Sequence, residues 1–493
     1  MADWALYVQG VVMQAPGPNI LVISDLHLGE GIRDDSADSL ERLLRLDREL
    51  QAFIAYYTEN RKGGRPWRLV VNGDMIDFIA VCLTPARAEL LTELHPDDHI
   101  YGLGTRARAA AIKMQRVLEH HDDTFRALAR FVGRGNELSL VMGNHDAEFH
   151  WPAVQRLLKA ALVSHWRVDP QREGNRTVEQ VADAIGFYPW FYLEPGVAWI
   201  EHGHQYDPYC SFDSVLEPAS DELEIDVNIG AAVMRYVVNH FPMDVSQQWG
   251  KGFFGYLRFW ASFGALGAVA ILAAYRDMLL RLMWDWRDRR NHLPERVLAR
   301  KQRNRARIAR MARGARIPVQ ALRSLIRLHR APIITDFGRI VRAIMLDRLL
   351  LLFAAPLILG APFVTVSWAW VPGAVVLSLA VFAGLVHLAS AAREPVDPEA
   401  QMRRVSTLIR KLARVPIVVF GHSHKAGAVG TEGAMYFNTG TWMPHNELKA
   451  FTHLLIERTE QGAKARLCQW RDGASRLYES EPKIAVSTSR VTA

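Results

Sequence analysis

Residues 19–29 read NILVISDLHLG, an apolar run that stops at Ser24 and gives way at once to Asp25, His27 and a glycine. The run is too short for a helix and rich in β-branched residues, so Asn19 to Ser24 is read as a buried strand. Working outward, the same grammar recurs four times. Trp67 to Val71 leads to Gly73-Asp74-Met75-Ile76-Asp77, and Leu138 to Met142 leads to Gly143-Asn144-His145-Asp146. Val197 to Ile200 leads to His202-Gly203-His204, and Pro416 to Phe420 leads to Gly421-His422-Ser423-His424. Strands of one sheet deliver backbone to a common edge, so polar residues just past strand ends converge although they are far apart in sequence.

Between these runs the period changes. Leu40, Leu43, Leu44, Leu50, Phe53 and Ile54 recur at helical spacing, and Gly63, Gly64 and Pro66 then break the chain. Further helical stretches are expected around Arg106 to Val132 and Ala153 to Trp166, and another strand at Ala434 to Phe437. The alternation predicts an α/β layered domain. Its first part spans 1–245, a helical insertion spans 246–405, and a second part spans 406–475. The polar tail after about Arg471, with 476–493 at its end, is read as loose.

At 493 residues the chain is long enough for about three average domains, or for one large layered domain with an insertion. Cys82, Cys210 and Cys468 lie far apart, which excludes a disulfide framework and a thiolate zinc site and fits a reducing compartment. Met1 to Ala15 shows no basic region followed by an apolar one, so the catalytic part is expected to stay in the cytoplasm. The net charge of +7 is unevenly spread: Arg276 to Arg348 holds 20 Arg and Lys against 6 Asp and Glu, a local +14 that leaves the rest near −7. Arg296, Arg300, Arg303, Arg307 and Arg310 recur at helical spacing as a cationic stripe, suited to lipid headgroups, to nucleic acid or simply to solvent.

Two apolar runs flank that basic segment. Leu349 to Ala392 has 44 residues without Asp, Glu, Lys or Arg, long enough for two passes of a 30 Å bilayer core, with Pro372-Gly373 as the expected turn. Phe259 to Tyr275 is marginal at 17 residues and is expected to lie at the interface or against protein. A membrane hairpin at about 349–392 then leaves both of its ends on the cytoplasmic side, as convergence of the site requires.

The five clusters combine carboxylate, imidazole and amide oxygen, a donor set for Mn, Fe or Zn rather than for Ca²⁺ or Mg²⁺. Their series of Asp-x-His, Gly-Asp-x-x-Asp, Gly-Asn-His-Asp, His and Gly-His-x-His resembles the calcineurin-like metallophosphoesterases. The resemblance covers the segments up to about Asp207 and from about Pro416 to Trp442. It implies a central β-sandwich flanked by helices, and two divalent transition metal ions. Asp25, His27 and His424 would hold one ion, Asn144, His202 and His422 the other, and Asp74 would bridge them. A hydroxide shared by the ions would attack the phosphorus of a monoester, diester or pyrophosphate. His145 would be the acid for the leaving group, with Asp146 orienting or supporting it and Asp77 buttressing the bridging loop. His204 would contact substrate, or exchange roles with His202. His150 is read as an ordinary satisfied histidine and Asn438 as a structural turn residue.

The Ser-Asp-Leu-His-Leu-Gly opening and the Glu-His-Gly-His-Gln-Tyr-Asp segment are also similar to the UDP-2,3-diacylglucosamine hydrolase branch of that family. The branch has Arg in the place of His145 and lacks so long an insertion. With the apolar hairpin, the expected substrate is a phosphoester, lipid-linked and met at the membrane. Two other readings stay open: a nuclease or nucleotide phosphodiesterase that uses the Arg-rich insertion, and a catalytically silent scaffold.

Overall fold

The computed structural model describes residues 7–9, 17–32, 40–84, 94–172, 174–219, 223–241, 264–291, 294–391, 396–431, 434–444, 449–459 and 462–478. Thirteen strands occur among them: β1 Tyr7–Gln9, β2 Asn19–Ile23, β3 Trp67–Asn72, β4 Glu137–Val141, β5 Ile185–Tyr188, β6 Phe191–Glu194, β7 Ala198–Glu201, β8 Ile417–Phe420, β9 Gly427–Thr431, β10 Ala434–Asn438, β11 Thr452–Thr459, β12 Gly462–Arg471 and β13 Ala474–Leu477. Helices of eight residues or more are α1 Leu40–Glu59, α2 Ala107–His120, α3 Asp122–Gly133, α4 Pro152–Val168, α5 Gly264–Asn291, α6 Pro294–Ala315, α7 Val319–Ile326, α8 Leu346–Thr365, α9 Val371–Ala391 and α10 Pro398–Ala413.

The strands form two sheets. One runs β1-β12-β11-β2-β3-β4-β5 with β13 beside β12, and the other runs β6-β7-β8-β10-β9. Strands β2, β3, β4 and β5 are parallel neighbours, as are β7, β8 and β10. The opening run shows why this is a sandwich. Ile20 and Val22 face the second sheet, whose Ile200 and Val419 share their cluster, while Leu21 and Ile23 face the helices with Leu46, Leu50 and Phe53. Because both faces of β2 are covered, its sequence is apolar throughout instead of alternating.

Helices α1 to α4 cover the outer face of the first sheet. Helix α1 buries the stripe Leu43, Leu46, Leu50, Phe53, Ile54 and Tyr57, the spacing of one helical face, while Leu44 turns to solvent at 50% exposure. The stretch expected as one helix from Arg106 to Val132 is two, broken at His121. That imidazole accepts the Gly29 N–H (3.1 Å) and donates from Nδ1 to Asp47 (2.8 Å), which fastens the loop after β2 to α1. The outer face of the second sheet is covered by α10 and, from the Arg-rich segment, by Ile308, Ala312, Leu322 and Leu325 of α6 and α7.

Three expectations need correction. The cationic stripe does not stand free: Arg300 meets Asp226 (3.0 Å), and Arg303 and Arg307 meet Glu217 (3.1 and 2.6 Å), because α6 lies against an acidic segment of the catalytic part. The turn between the two long apolar helices falls at 366–370, and Pro372 and Gly373 sit in the first turn of α9, where a proline costs no hydrogen bond. The segment after Arg471 is not all loose, since β13 pairs with β12; residues 479–493 lie outside the described residues. Of the run Phe259 to Tyr275, the part from Gly264 begins α5, with Ile271 buried against Leu349, and residues 259–263 lie outside the described residues.

Strands β11 to β13 were missed by the sequence reading, although β12 alternates Ala463, Ala465 and Leu467 inward with Lys464 and Arg466 between them. They add His453 and Trp470 beside Phe53 at centroid distances of 4.9 and 5.5 Å, and Trp442, from the segment before β11, joins them at 4.8 Å. Phe53→Ala is expected to cost about 3–5 kcal/mol, the range for a fully buried aromatic. It should appear as a fall in the urea midpoint of the catalytic body; an unchanged midpoint would show that this aromatic cluster does not tie α1 to the C-terminal strands.

Candidate metal centre

All five polar clusters lie at the C-terminal ends of parallel neighbours. Strands β2, β3 and β4 deliver Asp25 and His27, Asp74 and Asp77, and Asn144 and His145; β7 and β8 deliver His202, and His422 and His424, from the facing sheet. The turns are tight. Asp25, His27, Asp74, His422 and His424 all have positive φ, between 49 and 62°, a left-handed backbone that non-glycine residues adopt at a cost of order 1–3 kcal/mol. Such outliers gathered at one sheet edge point to a functional constraint.

The glycines of the motifs explain how the loops come so close. A Cβ on Gly73 would stand 2.4 Å from His202, one on Gly143 would stand 2.1 Å from Asp74 Oδ1, and one on Gly421 would stand 2.8 Å from Asp25 Oδ2. Backbone bonds lace the loops together: Leu26 and His27 N–H both donate to Asp74 O at 2.9 Å, and His145 N–H donates to Asp74 Oδ1 at 2.9 Å.

Within this cage Asp25, Asp74, Asp77 and Asp146 are each at most 2% exposed. Burial alone would raise their pKa values, but His424 and His202 hold Asp25 down, and His202 and His145 hold Asp74 well down. Asp77 is likewise held down by His145 and His27. Asp146 is the exception: burial and Asp74 push it up to about 7. The imidazoles respond in kind. Burial would lower His202, yet Asp74 and Asp25 raise it to about 9, and Asp77 and Asp74 raise His145 to about 10.

The ring nitrogens are already sorted. His202 Nδ1 faces the Asn72 carbonyl at 2.8 Å and must donate to it, so Nε2 is the nitrogen aimed at Asp74 Oδ2 (3.1 Å) and Asn144 Oδ1 (3.3 Å). His27 Nδ1 is held by Asp77 Oδ2 at 3.1 Å, while its buried Nε2 makes no hydrogen bond and stands 3.9 Å from Asp74 Oδ2. Lone pairs facing carboxylate and amide oxygens are what a divalent cation satisfies, in competition with protons. The donors Asp25, His27 and His424 lie within 4.8 Å of one another, and so do those of Asp25, Asp74 and His202. The residues therefore fit a metal centre.

Other expected residues fall as follows. His145 is beside His27, at 4.6 Å between ring centroids, but its Nδ1 pairs with Asp77 Oδ1 (3.0 Å) and not with Asp146. The Asp146 oxygens accept the Met75 and Gly143 N–H groups, stapling two loops, and its charge adds to those of Asp77 and Asp74 in raising His145. His204 is buried 5.6 Å from His202, and burial keeps its pKa well down. His150 lies beside Arg307 and Arg303, and burial with their charge lowers it to about 4. Asn438 does more than shape a turn: its Nδ2 donates to Gly421 O (2.9 Å) and Glu399 Oε2 (3.0 Å), so it holds the Gly-His-Ser-His loop. Asp207 was missed. It faces His422 Nε2 at 3.1 Å, and its place in the Glu-His-Gly-His-Gln-Tyr-Asp segment, five residues after His202, was the available signal.

The sequence model of the calcineurin-like phosphoesterase family matches residues 18–265 of the chain. No curated protein and no solved structure matches. The match stands at the level of the family and does not single out the UDP-2,3-diacylglucosamine hydrolase branch.

Gly143→Ala tests the close packing of the loops, since Asp74 must yield to the new methyl group. We expect divalent-cation binding to weaken and turnover to fall on the order of 100-fold with an intact circular dichroism spectrum. Wild-type Mn²⁺ titration and turnover in that variant would mean that contact with Gly143 does not set the place of Asp74.

Proposed function

The chain belongs to the calcineurin-like phosphoesterase family, metal-dependent hydrolases of phosphoester bonds, and from that membership we propose a binuclear site acting on a lipid-linked phosphoester at a membrane. The observation that carries the site is the convergence of the motif donors around Asp74. Asp25, His27 and His424 would hold one cation and Asn144, His202 and His422 the second, with Asp74 shared between them. With Nε2 of His422 held by Asp207, Nδ1 is the nitrogen left for a cation, just as Asp77 leaves Nε2 to His27. Such a pair would supply the acidity that activates water as nucleophile and the positive charge that offsets charge on the phosphoryl oxygens.

The chain's own groups do the rest. Asp77 offers one oxygen to His27 and the other to His145, so a single buried carboxylate fixes a ligand and an acid together. His145 keeps its proton at neutral pH because Asp77 and Asp74 overcome the effect of burial. Held at Nδ1, it has Nε2–H to give to the departing oxygen. His204, which stays neutral in its buried place, contacts the substrate.

Support for the membrane comes from α8 and the segment Trp368–Ala391. They are 20 and 24 residues long with mean hydropathy 1.9 and 2.1, and 17% and 0% of their apolar windows are buried within the protein. A soluble core helix of that composition would be covered. Leu357, Val364 and Leu377 are 75, 85 and 64% exposed, and Trp368 and Trp370 crown the turn as residues of the far interface do. Arg339, Arg342 and Arg348 stand at the near end, which supports a cytoplasmic catalytic body under the positive-inside bias. The nucleic-acid reading loses its main support, because Arg300, Arg303 and Arg307 are engaged by acids of the same chain.

Two variants separate binding from chemistry. Asp74→Asn should lose both metals and cost more activity than any other single ligand change, and near-normal turnover would remove the bridge. His145→Ala should keep two metals by elemental analysis yet lose about 10²–10⁴ in rate, less for esters of acidic leaving alcohols; a loss independent of the leaving group would rule out the acid role.

The membrane reading predicts that the full chain stays in the membrane pellet after alkaline carbonate washing and that a reporter placed at Ser367 is external. Release into the wash, or an internal reporter, would remove the spanning hairpin.

A further inference from the structure

Helix α5 carries two apolar faces. One is turned inward: Ile271, Ala274, Met278 and Leu282 are buried, and Met278 and Leu282 pack with Ile229, Tyr236 and Ile340. On the opposite side Val269, Arg276, Leu280, Met283, Trp284 and Arg287 fall within an arc of about 100° and are all exposed. Val269, Leu280 and Trp284 are 65, 55 and 73% exposed. The outer side of a surface helix is ordinarily polar, yet this one sets large apolar side chains between two arginines. Arg276 leans on Asp277 (2.8 Å), whose other oxygen accepts the Tyr101 hydroxyl (2.7 Å), and Asp288 stands exposed at the border of the face.

A contiguous apolar patch on a surface marks a contact with something else. Position and chemistry together say what covers this one. Ile271 shares a buried cluster with Leu349, in the first turn of α8, and Trp286 lies 5.6 Å from Phe337 of the short helix Phe337–Ala343 that leads into the hairpin. Helix α5 therefore runs beside the base of the hairpin for about 22 Å. Met345, with φ of 59°, makes a corner between the short helix and α8, which lets α5 lie across the hairpin instead of along it. The make-up of the outer face suits the edge of a bilayer, because an indole sits at headgroup level and an arginine lays its stem on apolar surface while its charge stays in water. Residues 253–263, just before the helix, read FFGYLRFWASF and have the same aromatic and basic content.

We propose that α5 is an interfacial helix, its outer face from Val269 to Arg287 seated among the headgroups of the bilayer that the hairpin crosses, so that two lipid contacts fix the tilt of the catalytic body on the membrane. The proposal rests on the membrane reading of α8 and α9 and adds a second contact to it. A hairpin alone leaves the body free to swing about the corner at Met345, and a helix pinned beside it removes that freedom. The tilt is passed on through the bonds that join α5 to loops of the catalytic part, Tyr101 to Asp277 (2.7 Å) and Arg281 to Glu224 (3.2 Å).

The experiment uses the full chain in nanodiscs of phosphatidylcholine and phosphatidylglycerol, with an environment-sensitive fluorophore attached to Leu280→Cys or Trp284→Cys. Both positions are exposed, so the label leaves the packed side of the helix intact. Leu44→Cys on α1 is the control in water, Leu357→Cys on α8 the control in hydrocarbon, and the chain with only Cys82, Cys210 and Cys468 gives the background. We expect the two α5 labels to emit to the blue of Leu44→Cys. Spin-labelled lipid should quench them more strongly when its label is near the headgroups than when it is deep, because an interfacial helix enters only about 5–10 Å into that boundary. Leu357→Cys should show the opposite order. Emission at both α5 positions like that of Leu44→Cys, with Leu357→Cys quenched, overturns the α5 contact and leaves the spanning hairpin standing. Absence of quenching at Leu357→Cys as well would count against the membrane reading itself. Blue emission from Trp284→Cys without lipid quenching, together with disulfide crosslinking between two such chains, would assign the face to a second copy and also overturn the proposal.

Discussion

Asp25, Asp74 and Asp77 lie almost wholly out of water within one small volume, and their charge is what the surrounding structure has to offset. Left alone, such carboxylates would protonate, as Asp146 begins to do with a pKa near 7. Imidazoles and backbone N–H groups keep the other three ionised, and bound divalent metal completes the balance far better than protons can. The left-handed loops, the glycines with no room for a Cβ and the shared Asp77 all follow from bringing strand ends of two sheets near enough for that balance.

The same demand explains why a chain interrupted by so long an insertion still closes on itself. His422 and His424 must return to Asp25, and α10 brings them back. Its Glu399 accepts from Ser423 Oγ (2.9 Å) and Asn438 Nδ2 (3.0 Å), so the helix that ends the insertion also grips the last metal-site loop. Helices α6 and α7 close the second sheet with their apolar side and hold Asp226 and Glu217 with their arginines. The insertion is thus part of the catalytic body on one side and, through α8 and α9, an uncovered apolar hairpin on the other.

The legible part of this protein was its strand-then-ligand grammar. Ile20 to Ile23 had to be a buried strand because nothing else suits a short β-branched run, and a polar cluster after such a run has to lie at a sheet edge. Strands β11 and β12 were passed over because the inward Ala463 and Ala465 of β12 are small and give a weak apolar signal, and only pairing of β12 with β11 and of β11 with β2 shows which face is inside. The break at His121 was invisible for a related reason: α2 and α3 share one helical period, and what divides them is a hydrogen bond to Gly29, 92 positions away.

The sequence by itself determined which residue types could hold metal, their order along the chain, and an apolar stretch long enough for two crossings, since composition and period are local properties. Tertiary structure alone decided which partners those residues take. Asp77 and not Asp146 holds His145, Asp207 holds His422, and the arginine stripe answers acids of its own chain. Contacts of this kind depend on loops separated by tens to hundreds of residues meeting at one edge, and distance through space is what a linear pattern does not contain.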